Sequence, residues 1–441
     1  MGRARRIAAG TCVAALLASG HARAEEATGT LAAEVDRRAA ALEDRVVGWR
    51  RDIHEHPELS NRERRTAALA ADHLEALGLS VRRGIAHTGV VGVLRGGLPG
   101  PTVALRADMD ALPVTEEVDL PFASRVRATY LGRDVGVMHA CGHDVHTAVL
   151  MGVAEVLTGV RERLPGSVVF VFQPAEERPP PGERGGAALM LEEGAFDDPT
   201  PEAIFGLHVV SQHRVGELAF VSGGAMSSSD VLDIRVVGRQ THAAYPWNGV
   251  DSIAVAARII LALQAIPARR VDVRLPAVVS IGAVHGGVRH NIIPEEVSLL
   301  GTIRSLDEAQ RRAIHEEIRT TAVGIARSAG AEALVKIELG YPITYNDPAL
   351  TARMIPTLER IAGSDHVVRA LPRTGAEDFA FFQERIPGLY VWLGGRPAGV
   401  SASEAAPNHS PRFFVDEAAL ALGVRTLAGL AVDFLSGAAL E

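Results

Sequence analysis

Residues 167–177 read Ser-Val-Val-Phe-Val-Phe-Gln-Pro-Ala-Glu-Glu, an apolar run that ends in two adjacent acids. The five consecutive apolar residues at 168–172 are typical of a strand that is buried on both faces of a parallel sheet. Glu176 and Glu177 follow directly, and open α/β sheets bind their ligands at the carboxyl ends of the strands. The stretch therefore predicts an α/β sheet with two carboxylates at its functional edge. The alternative for an isolated Glu-Glu pair is a solvated acidic loop.

Strand-like and helix-like segments alternate around this stretch, which predicts an α/β fold with a mostly parallel sheet flanked by helices. Apolar residues recur with helical spacing over 31–53. Further helices are expected at 66–77, 143–157, 187–193, 350–361 and 416–435, and further strands at 90–94, 103–108, 203–209 and 389–393.

The middle of the chain has a different order of elements. Strands are expected at 231–237, 278–284, 297–303 and 333–339, with helices at 251–266 and 307–329. The order β-α-β-β-α-β is that of a ferredoxin-like α+β unit. We therefore expect one α/β domain, formed by 25–221 and 341–441, into which a smaller domain is inserted over 222–340.

Composition excludes several classes of protein. The net charge is -8 and no Lys/Arg-dense stripe is present, so a nucleic-acid partner is not expected. Lys336 is the one lysine, and no Gly-Lys-Ser/Thr step of a nucleotide-binding P-loop exists. The sequence also lacks the motifs G-x-G-x-x-G, G-x-S-x-G and H-E-x-x-H, which argues against a dinucleotide enzyme, an α/β-hydrolase and a zincin.

Residues 1–24 have the pattern of a secretory signal peptide: a basic start, an apolar run over 7–19, and Ala22-Arg23-Ala24 before Glu25. This pattern predicts a protein exported to the periplasm or secreted. No later segment has about 18 uninterrupted apolar residues, so no membrane association is expected after cleavage. Cleavage would remove Cys12 and leave Cys141 without a partner for an internal disulfide.

Candidate metal ligands lie in loops and at strand ends. Cys141 and His143 flank Gly142 before a predicted helix, and their side chains converge only if the chain turns at Gly142. His208 ends the strand at 203–207, and His409 lies between prolines in 407–411. Each of these residues taken alone is more often structural. Together they supply the thiolate and imidazole groups that hold one or two metal ions.

The segment Arg106-Ala107-Asp108-Met109-Asp110-Ala111-Leu112-Pro113 resembles that of aminoacylase-like metal-dependent amidohydrolases of the zinc-peptidase superfamily. These enzymes hydrolyse N-acyl amino acids, hippurate and indole-acetyl amino acids. Further motifs match in order at 139–144, 173–177, 206–208, 301–304, 375–379 and 408–411. The resemblance covers the chain from about residue 45 to its C-terminus and implies a zinc-exopeptidase-like fold.

The resemblance also implies an active site with two divalent metal ions per subunit, zinc in the first place and manganese or cobalt as alternatives. The implied metal ligands are Cys141, as the bridge, with His143, Glu177, His208 and His409. Glu176 matches the general base and Asp108 an acid that shapes the site. His242 matches a histidine that polarises the scissile carbonyl, often from the partner subunit, and Asn291 and Arg304 match residues that hold the carboxylate of the substrate. The inserted domain resembles a lid and dimerisation domain, which implies a homodimer or larger homo-oligomer.

The implied reaction splits an N-acyl amino acid into a carboxylic acid and a free amino acid. Tyr245 and Trp247, which depart from the family's pattern after His242, suggest aromatic substrates, including ochratoxin-like amides. Asn408 is a second departure. The alternatives are a dipeptidase or carboxypeptidase of the same superfamily, a hydrolase with Cys141 as nucleophile, and a non-catalytic exported protein that binds a metal or an amino acid.

Overall fold

The structure is a computed structural model that describes residues 31–437. The predicted signal peptide, residues 1–24, lies outside the described residues. The chain forms two compact units. The first comprises the chain up to Phe220, Asp347–Arg369 and the chain from Ile386 onward, and the second comprises Val221–Asn346 and Ala370–Arg385. The sequence-based boundaries assign 370–385 to the larger domain, whereas the structure groups this segment with the inserted one.

The first unit begins with two helices where one was expected. Helix α1 covers 31–41 and α2 covers Glu43–Glu55, with a break at Leu42. The elements that follow are α3 (Arg64–Ala76), β1 (Ser80–Ile85), β2 (Gly89–Arg95), β3 (Leu98–Asp108), β4 (Arg127–Tyr130), β5 (Arg133–Gly136), α4 (His143–Thr158), β6 (Pro165–Gln173), α5 (Gly186–Glu192), β7 (Ala203–Arg214) and β8 (Leu218–Phe220).

The second unit and the return to the first follow in chain order. The elements up to residue 346 are β9 (Gly223–Met226), β10 (Ser229–Val237), β11 (Thr241–His242), α6 (Ser252–Arg269), β12 (Ala277–Gly286), β13 (Ile292–Ile293), β14 (Glu296–Ser305), α7 (Glu308–Ser328), β15 (Glu332–Tyr341) and β16 (Thr344–Asn346). The last elements are α8 (Pro348–Ala362), β17 (Val367–Arg369), α9 (Ala380–Gln383), β18 (Gly388–Arg396) and α10 (Ala419–Ser436).

The first unit contains an eight-stranded sheet in the order β1-β2-β6-β3-β7-β18-β8-β17. Its four central strands, β6, β3, β7 and β18, run parallel to one another, as predicted. Helices α4 and α10 pack against this sheet, and the apolar residues of β6 and β18 are buried. Asp108 pairs with Gln173 in register, so β3 and β6 end at the same edge. This edge carries Asp108 and the loop with Glu176 and Glu177.

The second unit contains a four-stranded antiparallel sheet in the order β12-β14-β10-β15. Helices α6 and α7 pack on it and complete the predicted β-α-β-β-α-β order. Asp251 caps α6 by accepting the backbone N–H groups of Ile253 and Ala254, and Asp307 caps α7 by accepting that of Gln310. The apolar faces of both helices form a separate core with this sheet.

Two described helices, α6 and α10, are long and apolar enough to cross a membrane by length and composition alone. Helix α10 is almost completely buried within its unit, and α6 packs its buried residues, among them Val255, Ile259 and Leu263, into the core of the second unit. We therefore interpret both as core helices of folded domains.

Candidate active site

The loop that carries Glu176 and Glu177 is held in place by the buried carboxyl groups of Asp110 and Glu63. Asp110 accepts the backbone N–H of Glu176 and that of Glu177, each at 3.0 Å, and the hydroxyl of Ser60 at 2.7 Å. Glu63 accepts the backbone N–H of the preceding Ala175 at 2.8 Å. Three successive N–H groups of one loop therefore have carboxyl acceptors, and the two hydrogen bonds to the ionised Asp110 are charge-assisted. Burial and the nearby charge of Asp110 raise the pKa of Glu63 to about 8, so Glu63 accepts the N–H of Ala175 as a neutral carboxyl group near pH 7.

Asp108, the last residue of β3, is fully buried and held from two sides. Its oxygens accept Arg106 Nη1 at 2.7 Å and His146 Nδ1 at 2.6 Å. Burial opposes ionisation, but the charges of Arg106 and His143 and the hydrogen bond from His146 outweigh it and hold the pKa of Asp108 well below its usual range. Asp108 is therefore a carboxylate in the centre of the cluster.

The hydrogen bonds of His146 show why this histidine is not a metal ligand. Its Nε2 accepts the backbone N–H of Val209 at 2.8 Å, so its proton lies on Nδ1 and is donated to Asp108. Although ligand atoms of Asp108, His143 and His146 lie within 4.8 Å of one another, both nitrogens of His146 are in use. Its role is to orient Asp108.

Cys141, His143 and His208 form a first group of side chains that could hold a metal ion, with ligand atoms within 4.8 Å of one another. The Sγ of Cys141 is 3.4 Å from Nε2 of His208. The Nδ1 atoms of His143 and His208 lie 2.8 Å from the backbone carbonyls of Asp110 and Val209, respectively. A histidine ligand typically donates its second nitrogen in this way and presents the other to the metal.

The first group depends on a turn at Gly142. The sequence predicts that the side chains of Cys141 and His143 converge only if the chain turns there. Gly142 has φ +96°, and a Cβ atom there would lie 2.3 Å from Cγ1 of Val209. The predicted turn is therefore confirmed, and it places Cys141 and His143 on the same side of the chain.

Cys141, Glu177 and His409 form a second group of ligand atoms within 4.8 Å of one another. Nε2 of His409 is 2.9 Å from Oε1 of Glu177. The side-chain amide of Asn408 donates to the backbone carbonyls of Cys141 and Val209, at 3.0 and 3.1 Å. Asn408, a departure from the family's usual residue, thus ties the His409 loop to the Cys141 loop. The Sγ of Cys141 belongs to both groups.

The electrostatics of the two groups favour a cation. Burial, followed by the charges of Glu177 and Glu176, raises the pKa of the Cys141 thiol well above its usual range. Burial lowers the pKa of His143, but Asp108 and Asp110 outweigh burial and raise it to about 10. The protons on Cys141 and His143 therefore lie among carboxylates, where a divalent cation would replace them. Metal binding releases such protons from its ligands.

Glu176 and Asp108 lie beside the ligand groups. Nε2 of His143 is 3.8 Å from Oε2 of Glu176 and 3.6 Å from Oδ2 of Asp108. The combination of thiolate, imidazole and carboxylate donors is one that zinc accepts, and it also suits manganese or cobalt. Seven of the ten predicted site residues thus meet in the first unit: Asp108, Cys141, His143, Glu176, Glu177, His208 and His409.

The three other predicted site residues belong to the second unit. His242 pairs with Ile292 between β11 and β13, and the backbone carbonyl of Asn291 accepts the N–H of Ala243 at 3.1 Å. His242 and Asn291 are therefore neighbours. Arg304 lies on β14, in the four-stranded sheet, where it donates to the backbone carbonyl of Ile303 at 3.2 Å.

Sequence reasoning overlooked two residues of this network. Glu63 precedes α3, far in sequence from the motifs, and no sequence signal connects it to the loop at 175. His146 is not among the predicted site residues. Its position three residues after His143 on α4 is a weak signal for a shared face. Asp110 lies within the motif at 106–113, but the sequence does not predict its hydrogen bonds to the Glu176 loop.

Comparison with known proteins agrees with this geometry. Residues 104–433 match the model of peptidase family M20/M25/M40. The chain is 41% identical over 395 residues to thermostable carboxypeptidase 2 of Saccharolobus solfataricus, an alignment that covers 89% of this chain and 96% of the relative. It is 38% identical over 400 residues to N-acetylcysteine deacetylase of Bacillus subtilis, with 90% and 98% covered.

A solved structure from Bacillus subtilis, described as a dinuclear metal-binding peptidase of the M20 family, superposes with a TM-score of 0.75. It shares 36% sequence identity, and the match covers 90% of this chain and 99% of that one. The predicted zinc-exopeptidase-like fold is thereby confirmed. The chain is a hydrolytic enzyme that belongs to peptidase family M20/M25/M40.

Proposed function

We propose that this enzyme hydrolyses the amide bond of N-acyl amino acids and releases a carboxylic acid and a free amino acid. The observation that carries the proposal is the arrangement around Cys141. One buried sulfur belongs to two groups of ligand atoms, and the carboxylate of Glu176 lies beside them. Such an arrangement suits two metal ions that share a ligand, with a free carboxylate next to the reacting water.

Cys141, His143, Glu177, His208 and His409 would hold two divalent ions per subunit, with zinc as the first choice and manganese or cobalt as alternatives. When bound, such ions polarise a substrate carbonyl and lower the pKa of water.

Glu176 is the proposed general base. It accepts the proton of the attacking water and then delivers it to the nitrogen of the leaving amino acid. The backbone N–H of Glu176 donates to Asp110 at 3.0 Å, and this hydrogen bond fixes the backbone position from which the side chain extends. Groups held in this way act by orientation as well as by basicity, and general acid–base catalysis contributes roughly 10²–10⁴-fold in rate.

His242 is the proposed donor to the oxygen on which negative charge develops. Its Nδ1 accepts the backbone N–H of Ala244 at 3.0 Å, so its Nε2 carries the proton. The side chain is exposed and has a proton to donate. Asn291 and Arg304 are proposed to bind the carboxylate of the amino-acid part, for which a guanidinium is well suited.

Two relatives, the N-acetylcysteine deacetylase and the carboxypeptidase, support an amide substrate from which a free amino acid is released. The first favours an N-acyl amino acid, and the second keeps a dipeptidase or carboxypeptidase activity as the alternative. Three substrates separate these activities, because N-acetyl-alanine tests for an aminoacylase, alanyl-alanine for a dipeptidase and N-acetyl-alanyl-alanine for a carboxypeptidase that accepts a blocked peptide. Aromatic amides, including ochratoxin-like ones, are a narrower proposal based on Tyr245 and Trp247, whose rings are 5.7 Å apart.

The decisive experiment measures amino-acid release and metal content in two matched variants. Glu176→Gln is expected to keep the metals and lose at least about a hundredfold in kcat. Glu177→Gln is expected to lose metal as well as activity. Full activity in Glu176→Gln would refute the base, and activity that survives a chelator would instead favour Cys141 as nucleophile. Absence of turnover with any N-acyl amino acid or dipeptide, despite bound metal, would favour a non-catalytic binding protein.

A homodimer is proposed through the second unit. Strand β12 is an edge of its sheet. Val284 on β12 is 54% exposed, Val288 after it 95%, and Leu261 on α6 74%. Exposed apolar groups at an unpaired strand edge are typical of an interface. Light scattering is expected to give the mass of a dimer for the wild type and of a monomer for Leu261→Glu. An active wild-type monomer would contradict this proposal.

Export is proposed from residues 1–24 of the sequence alone. If it is correct, mass spectrometry of the protein from a periplasmic or culture fraction finds Glu25 as the first residue. A protein that retains residues 1–24 and stays in the cytoplasm would contradict it.

A further inference from the structure

Helix α2 carries two buried basic side chains on one face. Arg50 and His54 lie one turn apart, and each residue is 2% exposed. A buried charge is costly unless it is paired with an opposite one. The buried carboxyl groups of Glu116 and Asp144 supply the partners. These four residues, which we call the α2 cluster, include none of the proposed metal ligands.

Asp144 connects the α2 cluster to the turn that carries Cys141 and His143. It directly follows His143 in the first turn of α4 and is buried. Its Oδ2 accepts Nε of Arg50 and Nδ1 of His54, each at 2.8 Å. These two hydrogen bonds tie the first turn of α4 to α2, directly beside a proposed metal ligand.

Glu116 connects the α2 cluster to the loop at 407–411, which carries another of the five proposed ligands. Its Oε1 lies 3.1 Å from Nε2 of His54. The next residue, Glu117, donates its backbone N–H to the carbonyl of Pro411 at 2.8 Å. The end of the loop is therefore fastened to the same segment that His54 holds.

His54 is the member of the cluster that contacts both carboxyl groups. Burial lowers its pKa, but the charge of Asp144 and the hydrogen bonds to Asp144 and Glu116 outweigh burial and raise it. The protonated ring donates from both nitrogens, which lie on different edges of the imidazole. A glutamine carries both of its donor hydrogens on one nitrogen, so it could not bridge the two groups in the same way.

We propose that His54 is a positioning residue that holds the turn at 141–143 and the loop at 407–411 at a fixed separation. It thereby determines how tightly the second group of ligand atoms binds a metal ion. The proposal rests on the proposed function, which assigns metal ligands to both segments. His54 itself acts only through Asp144 and Glu116.

The group of Cys141, Glu177 and His409 is the one that depends more on this support. The side chain of His409 is 55% exposed. The side chain of His143, in contrast, is fully buried, and its Nδ1 lies 2.8 Å from the backbone carbonyl of Asp110. Residues that orient a metal ligand from outside typically change metal affinity roughly 10–100-fold when they are replaced.

Hydrogen exchange of the full chain, with and without loaded metal, gives a readout that does not require turnover. The backbone N–H groups of Glu117 and His409 donate to the carbonyls of Pro411 and Ala140, at 2.8 and 2.7 Å, and they report how firmly the loop is held. His54→Gln is expected to raise both exchange rates at least about tenfold.

His73→Gln is the matched control. His73 is a partly buried histidine on α3, and its Nε2 lies 3.1 Å from the backbone carbonyl of Met151 on α4. This contact lies far from the first turn of α4. The replacement of His73 is therefore expected to leave the exchange rates of Glu117 and His409 unchanged.

A cobalt titration, followed by calorimetry and absorption spectroscopy, measures the binding of the two ions. His54→Gln and Glu116→Met are expected to bind the first ion like the wild type and the second at least about tenfold more weakly. Glu116→Met keeps the hydrogen bond from His54 to Asp144. It therefore provides a second test if His54→Gln does not fold.

Unchanged exchange at Glu117 and His409, or wild-type affinity for the second ion, in both variants would overturn the proposal. Equal acceleration of exchange in His73→Gln would overturn it as well. If the wild type binds no cobalt, the proposed function fails, whereas faster exchange in His54→Gln than in His73→Gln still supports the link between the two segments.

Discussion

The carboxyl group of Glu63 accepts the backbone N–H of Ala175 at 2.8 Å, across 112 positions of sequence. Ala175 has φ +53°, which a residue with a side chain adopts only at a cost. The second oxygen of Glu63 forms a hydrogen bond with the hydroxyl of Thr88. A buried carboxyl group thus holds the residue immediately before the proposed base in a strained conformation.

Glu63→Met is expected to lower kcat about tenfold at unchanged KM and unchanged metal content. Since burial and Asp110 raise the pKa of Glu63 to about 8, glutamine would imitate the neutral carboxyl group, whereas methionine offers no acceptor oxygen. The buried N–H of Ala175 then loses its acceptor, which costs about 1–3 kcal/mol. The matched control is Glu58→Met, because Glu58 accepts the N–H groups of Arg65 and Thr66, each at 2.9 Å, away from the Glu176 loop. If both variants lose kcat equally, Glu63 has no specific effect on the base.

Gly142→Ala is expected to destroy the metal centre. The new Cβ would lie 2.3 Å from Val209 Cγ1, at φ +96°. Gly216 is the control, because it has φ +94° but a Cβ atom at this position would meet nothing within 4 Å. Gly216→Ala is expected to lower the free energy of unfolding by about 1–2 kcal/mol through backbone strain alone. Thermal unfolding and metal analysis of both variants separate the effect of backbone strain from that of the steric clash with Val209. Normal metal content in Gly142→Ala would contradict the role of the turn.

Asp230 is expected to make stability depend on acid pH. Burial opposes its ionisation, but His315 and Arg311 outweigh burial and lower its pKa to about 2. Since the folded pKa lies below the unfolded one, the stabilisation is present above about pH 4 and is lost as the pH falls toward 2. It corresponds to about 1–2 kcal/mol after allowance for solvent screening.

Urea unfolding of metal-free wild type and Asp230→Asn at several pH values checks this expectation. The difference in free energy of unfolding should shrink as the pH falls from about 4 to 2. Asp233→Asn, on the same strand, provides the control. A difference that stays constant with pH would contradict the contribution of the Asp230 carboxylate.

Local patterns in the sequence were sufficient for the strands and helices that build the two cores. The run 168–172 became β6, and the alternation at 231–237 became part of β10. The short strands β4, β5, β8 and β17 were not predicted, because three or four residues carry too little periodicity. His208 was expected to end its strand, yet β7 continues through the buried residues 209–211 to Arg214, and the more exposed polar residues at 212–214 carry no apolar pattern.

The proposed ligands were found because strand ends and one Cys-Gly-His turn bring them together, and motif order identified the family. The supporting residues were not found in the same way. Glu63 and the hydrogen bonds of His146 depend on which backbone N–H groups remain unpaired after the sheet has formed, and local sequence does not encode that information. The extra segment at 370–385 of the second unit was missed because its contacts are made with distant parts of the chain.

We propose that five side chains would hold two divalent ions and that Cys141 would contribute to both sites. Metal content per chain, measured by mass spectrometry on wild type and Cys141→Ala, tests it most directly. We predict about two ions per chain in the wild type and fewer than one in the variant, because the sulfur belongs to both groups of ligand atoms. A wild type that binds no metal when loaded, or a variant that still binds two ions, would contradict it.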